Sequence, residues 1–186
     1  MQNQDEIHLI GRLLRERLTS LKSEAEQLSP DPYEPKPAVI FGKAMDMLRY
    51  AVDCLSKSIV DVGIEIENLN KLLSGSTMGN TDMSAIEGAV TKVVDRVRDI
   101  YRIEFQLLQV TPPRLLEGCF HQFQGIGHQC TERLIISARE IEKQAENTSI
   151  TDKIIVDFNL GLDSNIEQLN AEMARVRDIM LEVEQF

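Results

Sequence analysis

Apolar residues recur along this chain at steps of three and four, the spacing of one face of a helix. The clearest run is Phe41, Met45, Leu48, Val52, Leu55, Ile59, Val62, Ile66, Leu69 and Leu73, a heptad seam more than four heptads long. A first helix is predicted over 5–28, with its stripe on Ile7, Ile10, Leu14, Leu18, Leu21, Ala25 and Leu28. Between the two lies SPDPYEPKP, residues 29–37, where four prolines in nine residues predict a stiff extended connector. The glycine- and serine-rich stretch 74–83 predicts a turn, and a third helix starts near Ser84. Its seam is Ile86, Val90, Val93, Val97 and Ile100. Glu104 holds the next heptad place, so the seam slips to Ile103, Leu107 and Val110. Thr111-Pro112-Pro113 interrupts the helix, with Thr111 as a candidate cap, and the chain either kinks on or restarts. From Leu116 one continuous helix is predicted, with its seam on Leu116, Phe120, Phe123, Gly127, Cys130, Leu134, Ser137 and Ile141. Ser149, with Asp152 three residues on, reads as the cap of a last helix over 150–186, striped by Leu162, Ile166, Leu169, Met173, Val176, Met180 and Val183. The expectation is a single all-α domain, 1–186. It is an elongated antiparallel helical hairpin over 38–147 of the four-helix-bundle class, with an N-terminal helix and an additional C-terminal helix.

Composition narrows the function classes. Aromatic residues make up 5% of the chain and tryptophan is absent, which suits helices better than sheets. The net charge of −10 argues against nucleic acid and anionic membranes as partners. No apolar run approaches the ~18 residues that cross a bilayer, and the first residues lack the apolar core of a signal peptide. Cys54, Cys119 and Cys130 are widely spaced and odd in number, so reduced thiols in a cytoplasm are expected.

The stretch FHQFQGIGHQC, 120–130, concentrates the candidate chemistry. As a β-hairpin it would bring Cys119, His121, His128 and Cys130 together, a ligand set that suits zinc. As a helix it separates Cys119 and Cys130 by eleven residues, about 16 Å of rise, too far to share one ion. The seam runs through the segment at helical spacing, so no metal site is expected. Gly127 and Cys130 then face inward, where small residues let a partner helix come close. Gly118, His121, Gln122, Gly125, Gln129 and Glu132 face out. Glycine exposed within a helix costs about 1 kcal/mol against alanine, which reads either as drift on an unselected surface or as a face that another backbone or a phosphoryl group approaches closely.

Three segments, in order along the chain, resemble the CheZ family of chemotaxis phosphatases, which dephosphorylate the response regulator CheY. Phe123-Gln124-Gly125-Ile126-Gly127-His128-Gln129, then Arg133-Leu134-Ile135, is similar to the family's active-helix motif F-Q-D-[LI]-T-G-Q with its following arginine and apolar pair. Ile7-His8-Leu9-Ile10-Gly11-Arg12-Leu13 looks like its first short helix, and Ala44 to Val52 like its A-x-D-x-L-x-Y-x-V pattern. The resemblance implies a homodimer of two hairpins and a CheY-type response regulator as partner. It also implies catalysis by Gln129, whose amide would orient a water for attack on an aspartyl phosphate. This chain would bind no cofactor of its own; Mg²⁺ would sit on the regulator. Gln122, Gly125, His128, Glu132 and His121 would form the partner-binding surface. The family's aspartate falls here on Gly125 and its T-G pair on Gly127-His128, so restoring an acid at 125 is expected to raise activity. The alternatives are a catalytically degenerate binding protein and a structural helical module whose resemblance is shared heptad grammar.

Overall fold

The computed structural model describes residues 2–75, 83–143 and 150–184. The fold of the described residues is all-helical, with α1 Gln2–Leu28, α2 Phe41–Gly75, α3 Met83–Leu108, α4 Glu117–Phe123, α5 Ile126–Lys143 and α6 Ile150–Glu184, and a 3-10 turn at Arg114–Leu116. No β-strand forms among the described residues. None of their helices is long and apolar enough to cross a membrane. The expected turn at 74–83 and the Ser149 cap lie wholly or mostly outside the described residues, as do the side chains of Leu73, Leu162 and Val183.

Most of the periodic residues form the core; Leu28, expected to close the stripe of α1, is instead exposed at the helix end, and Ile7, Phe41 and Val110 are partly buried. Ile10, Leu14, Leu18, Leu21 and Ala25 of α1 are buried in one continuous cluster with Leu48, Val52, Leu55, Val62, Ile66 and Leu69 of α2 and Val90, Val93, Val97 and Ile100 of α3. Burying a branched aliphatic side chain contributes about 1.5–3 kcal/mol, so this alignment of apolar positions selects the helical phase.

Side-chain partners give the helix directions. Arg15 pairs with Glu142 at 2.8 Å, and Glu26 faces His128 at 3.4 Å, so α1 runs antiparallel to α5. Arg17 reaches the Glu87 carbonyl at 3.0 Å, and Arg98 reaches Glu24 at 3.4 Å, so α1 runs parallel to α3. Helix α2 pairs with α3, and α6 packs on both α2 and α5. Leu169, Met173 and Val176 place the second half of α6 in the core. At Gly11 the approach of α1 to α5 is close enough that a methyl group would sit 2.8 Å from the Ala138 carbonyl oxygen.

Three expectations change. The hairpin does not extend through 38–147. Prolines 112 and 113 cannot continue the ladder, and the chain reverses so that α5 returns alongside α3. Thr111 does not cap the next helix. Its N–H donates to the Pro37 carbonyl at 2.9 Å and its carbonyl accepts from Val39 at 3.1 Å. Its hydroxyl reaches the Lys36 carbonyl at 3.1 Å, so the proline-rich connector is tied to the reversal. Nor is 116–141 one helix. It breaks at Gln124 and Gly125, where Gly125 takes φ +82°, a left-handed conformation that glycine adopts without steric cost. The seam survives the break, because Leu116, Phe120, Phe123, Cys130, Leu134, Ser137 and Ile141 are all buried.

Candidate functional site

The turn from α4 to α5 carries the residues of interest, and a carboxylate from α3 organises it. Gly125 N donates to Glu104 Oε1 at 2.5 Å, and Gly127 N donates to Glu104 Oε2 at 3.1 Å. The first amides of a helix have no partner within it, and an anion there meets the positive end of the helix dipole. Glu104 therefore caps α5 from a neighbouring helix. It is 5% exposed. Burial pushes its carboxyl above the ordinary carboxylate range; the two amides and nearby His128 pull the other way.

Gly127 is where α3 and α5 touch. A methyl group there would lie 2.5 Å from Tyr101 Cδ1 and 2.9 Å from Glu104 Oε2. Tyr101 sits close enough against the helix that Thr131 Oγ1 lies 2.8 Å from its hydroxyl and 2.7 Å from the Gly127 carbonyl oxygen. Thr131 has one proton to give, so a chain in which Tyr101 donates to Thr131 and Thr131 to the carbonyl satisfies all three groups. Burial pushes the Tyr101 phenol up to about 12.

The residues expected to bind a partner are mostly engaged within the chain. Gln122 on α4 donates from its side-chain amide to Glu172 of α6. His128 faces Glu26 of α1. Glu132 pairs with Lys22 of α1, which holds its carboxyl below the ordinary range. Gly125 serves the turn. His121 lies apart, over a groove of about 260 Å³ shared with Lys36, Phe120 and Gln124. Gln129 sits in the first turn of α5 with its side chain exposed, its backbone N–H donating to the Gly125 carbonyl at 3.0 Å. The structure thus brings Gly125, His128, Gln129 and Glu132 to one end of α5, and leaves His121 out.

Cys119 and Cys130 are free and buried on different helices. Burial pushes the Cys119 thiol up to about 11 and the Cys130 thiol up to about 12. Among the described residues no group of three or more His, Cys, Asp or Glu side chains comes together as a metal would require. The residues that sequence reasoning passes over are Glu104, Tyr101 and Thr131. Glu104 leaves a signal, a charge standing in a heptad seam; Tyr101 and Thr131 leave none, because their role exists only where α3 crosses α5.

Compared with known proteins, the chain matches no family profile, no curated protein and no solved structure.

Proposed function

We propose that this chain is a helical docking module that receives a protein partner on the outer stripe of α5, formed by Gln129, Arg133 and Ile136. Three and four residues apart, these side chains share one face, and all three are exposed. The observation that carries the reading is the division of labour along α5. His128 and Glu132 are spent on tying α5 to α1, and Glu104 already neutralises the amides at its start. What remains outward is a short stripe in which Ile136, 52% exposed, follows the polar Gln129 and Arg133. An exposed apolar anchor within a polar rim is the usual composition of a contact surface. A CheY-type response regulator, the partner implied by the resemblance, is the first to test. Binding is measured by calorimetry with phosphorylated and unphosphorylated regulator. Ile136→Asp is expected to abolish binding while leaving the circular dichroism spectrum unchanged. Wild-type affinity in that variant would remove the stripe from the reading.

A catalytic reading is favoured by the exposure of Gln129 at the start of this stripe. Phosphate release from the phosphorylated regulator, with and without the protein, tests it. If the amide orients the attacking water, Gln129→Ala slows release by about 10²-fold or more with binding little changed. The burial of Leu169, Met173 and Val176 supports a chain in which α6 takes the place that the resemblance gives to a second copy. Light scattering at micromolar concentration separates that monomer from a homodimer. Three free cysteines fit a reducing cytoplasm.

A further inference from the structure

Beside the docking stripe, a cleft of about 270 Å³ opens between the end of α1, the last turns of α3 and the turn into α5. Its walls carry Glu26, Tyr101, Glu104, Phe105, Gly125 and His128. We propose that this cleft accepts a cationic side chain, an arginine or a lysine, from the docked partner.

Glu104 supplies the first reason. It is 5% exposed, yet among the described residues no lysine or arginine pairs with it. Its two backbone donors satisfy one lone pair on each oxygen and bring no net charge. Carboxylate oxygens accept about four hydrogen bonds in all, so capacity remains. A buried charge without a counter-ion is costly, and a cation entering the cleft would relieve that cost. Glu26 adds a second negative charge at the rim, where His128 faces it at 3.4 Å. Both carboxylates also help to raise the Tyr101 phenol, so the field in the cleft is negative on more than one indicator.

Shape and lining supply the second reason. Tyr101 and Phe105 line the cleft, their ring centroids 6.1 Å apart and their planes tilted by 43°. Aromatic faces attract ammonium and guanidinium groups, guanidinium the more often. Whole small-molecule ligands occupy pockets of about 300–1,000 Å³, so a cleft of about 270 Å³ suits one side chain better than a cofactor. Its lining includes Gly125 and His128, neighbours of Gln129 at the start of α5, so a partner docked on the stripe is a fitting source for the guest. This inference rests on the docking reading for its source of the cation, and its test stands apart from it.

The test is an amide-resolved NMR titration of the full chain with Nα-acetylarginine amide, with the neutral isostere Nα-acetylcitrulline amide as control. Arginine is expected to shift the amides of Ser29, Gly125 and His128, less so at high salt, and citrulline to leave them in place. Glu26→Gln, an exposed position whose change spares the core, is expected to weaken the response about fivefold, the scale of one partly exposed charge contact. Equal response to citrulline, no response to arginine at tens of millimolar, or an unchanged response in Glu26→Gln would each overturn the proposal. Ile136→Asp separates the two readings. If arginine binds that variant as it binds wild type, the cleft stands whether or not the stripe docks a partner. If arginine fails on wild type, the cleft falls and the stripe is judged by its own binding experiment.

Discussion

Replacing Glu104 tests the organisation of the whole α4–α5 region. Glu104→Ala removes the acceptor for Gly125 N and Gly127 N, now at 2.5 and 3.1 Å. A hydrogen bond to a charged group contributes about 1.5–3 kcal/mol, and each buried amide left without a partner costs about 1–3 kcal/mol. Two effects offset part of this. The carboxylate no longer has to be desolvated, which is the leading cause of its raised pKa. The adjoining cleft also opens to solvent, so water can reach at least Gly125 N. The net expectation is a loss of about 2 kcal/mol. At about 2–4 °C per kcal/mol for a chain of this size, the melting temperature should fall by about 4–8 °C. Glu104→Gln keeps one acceptor oxygen but turns an N–H₂ group toward the other amide, so about 1 kcal/mol is expected. The pH dependence has a definite sign. A group whose folded-state pKa lies above its unfolded value contributes stability that is fully present below the unfolded pKa. That contribution is lost as pH rises through the folded pKa. Wild type should therefore gain on Glu104→Gln as the pH is lowered from neutrality into the carboxylate range, because glutamine does not titrate. Urea denaturation of the three proteins across that range measures both effects. Glu104→Ala within about 0.5 kcal/mol of wild type would refute the capping role. A gap between wild type and glutamine that does not change with pH would refute the raised pKa.

Three further outcomes rest on the same geometry. Gly127→Ala places a methyl group 2.5 Å from the Tyr101 ring, and calorimetric melting should show about 1–3 kcal/mol of overpacking; a neutral result would mean that α3 and α5 are further apart than described. Gly125→Asp imposes a side chain at φ +82°. It should cost about 1 kcal/mol and lower any activity through the turn, against the sequence expectation that an acid there would raise it; a more active, equally stable variant would contradict this. Under native conditions a thiol reagent should modify Cys54 first and Cys119 and Cys130 slowly, since Cys54 alone is only half-buried and the other two thiols are raised to about 11 and 12; equal rates at all three positions would count against the burial.

Much of the fold is legible in the sequence because a helix that buries one face must repeat its apolar residues every three or four places. The stripes of α1, α2 and α3 obey that rule over most of their length, and only their ends depart from it, with Leu28 exposed and Ile7, Phe41 and Val110 partly buried. Even the stripe of 116–141 has the expected phase, with Phe123 and Cys130 both inside, although two helices share it. The phase survives because the break at Gly125 leaves the buried side of α4 and of α5 facing the same core. Proline spacing marks the connector at 29–37 and the interruption at 112–113, since proline lacks the N–H that a helix requires.

The tertiary structure decided what periodicity leaves open. A seam records which side of a helix is buried, and says nothing of what buries it. The return of α5 along α3, and the packing of α6 on α2 and α5, come from how the chain closes its core rather than from any local signal. Gly125 carries no mark of a left-handed turn, and reads in the sequence as an exposed glycine where a resembling family has an acid. Its conformation is set by the need to end α4 and start α5 over Glu104. The charge of Glu104 is visible as an interruption of the seam, but its purpose required partners 21 and 23 residues away in sequence. His128, Glu132 and Gln122 read as outward and available, and the fold spends them on Glu26, Lys22 and Glu172. Exposure of Gln129 is set by helical phase alone, and so the sequence contains it. The charge and shape of the cleft beside it come from three elements meeting, and only the folded chain contains them.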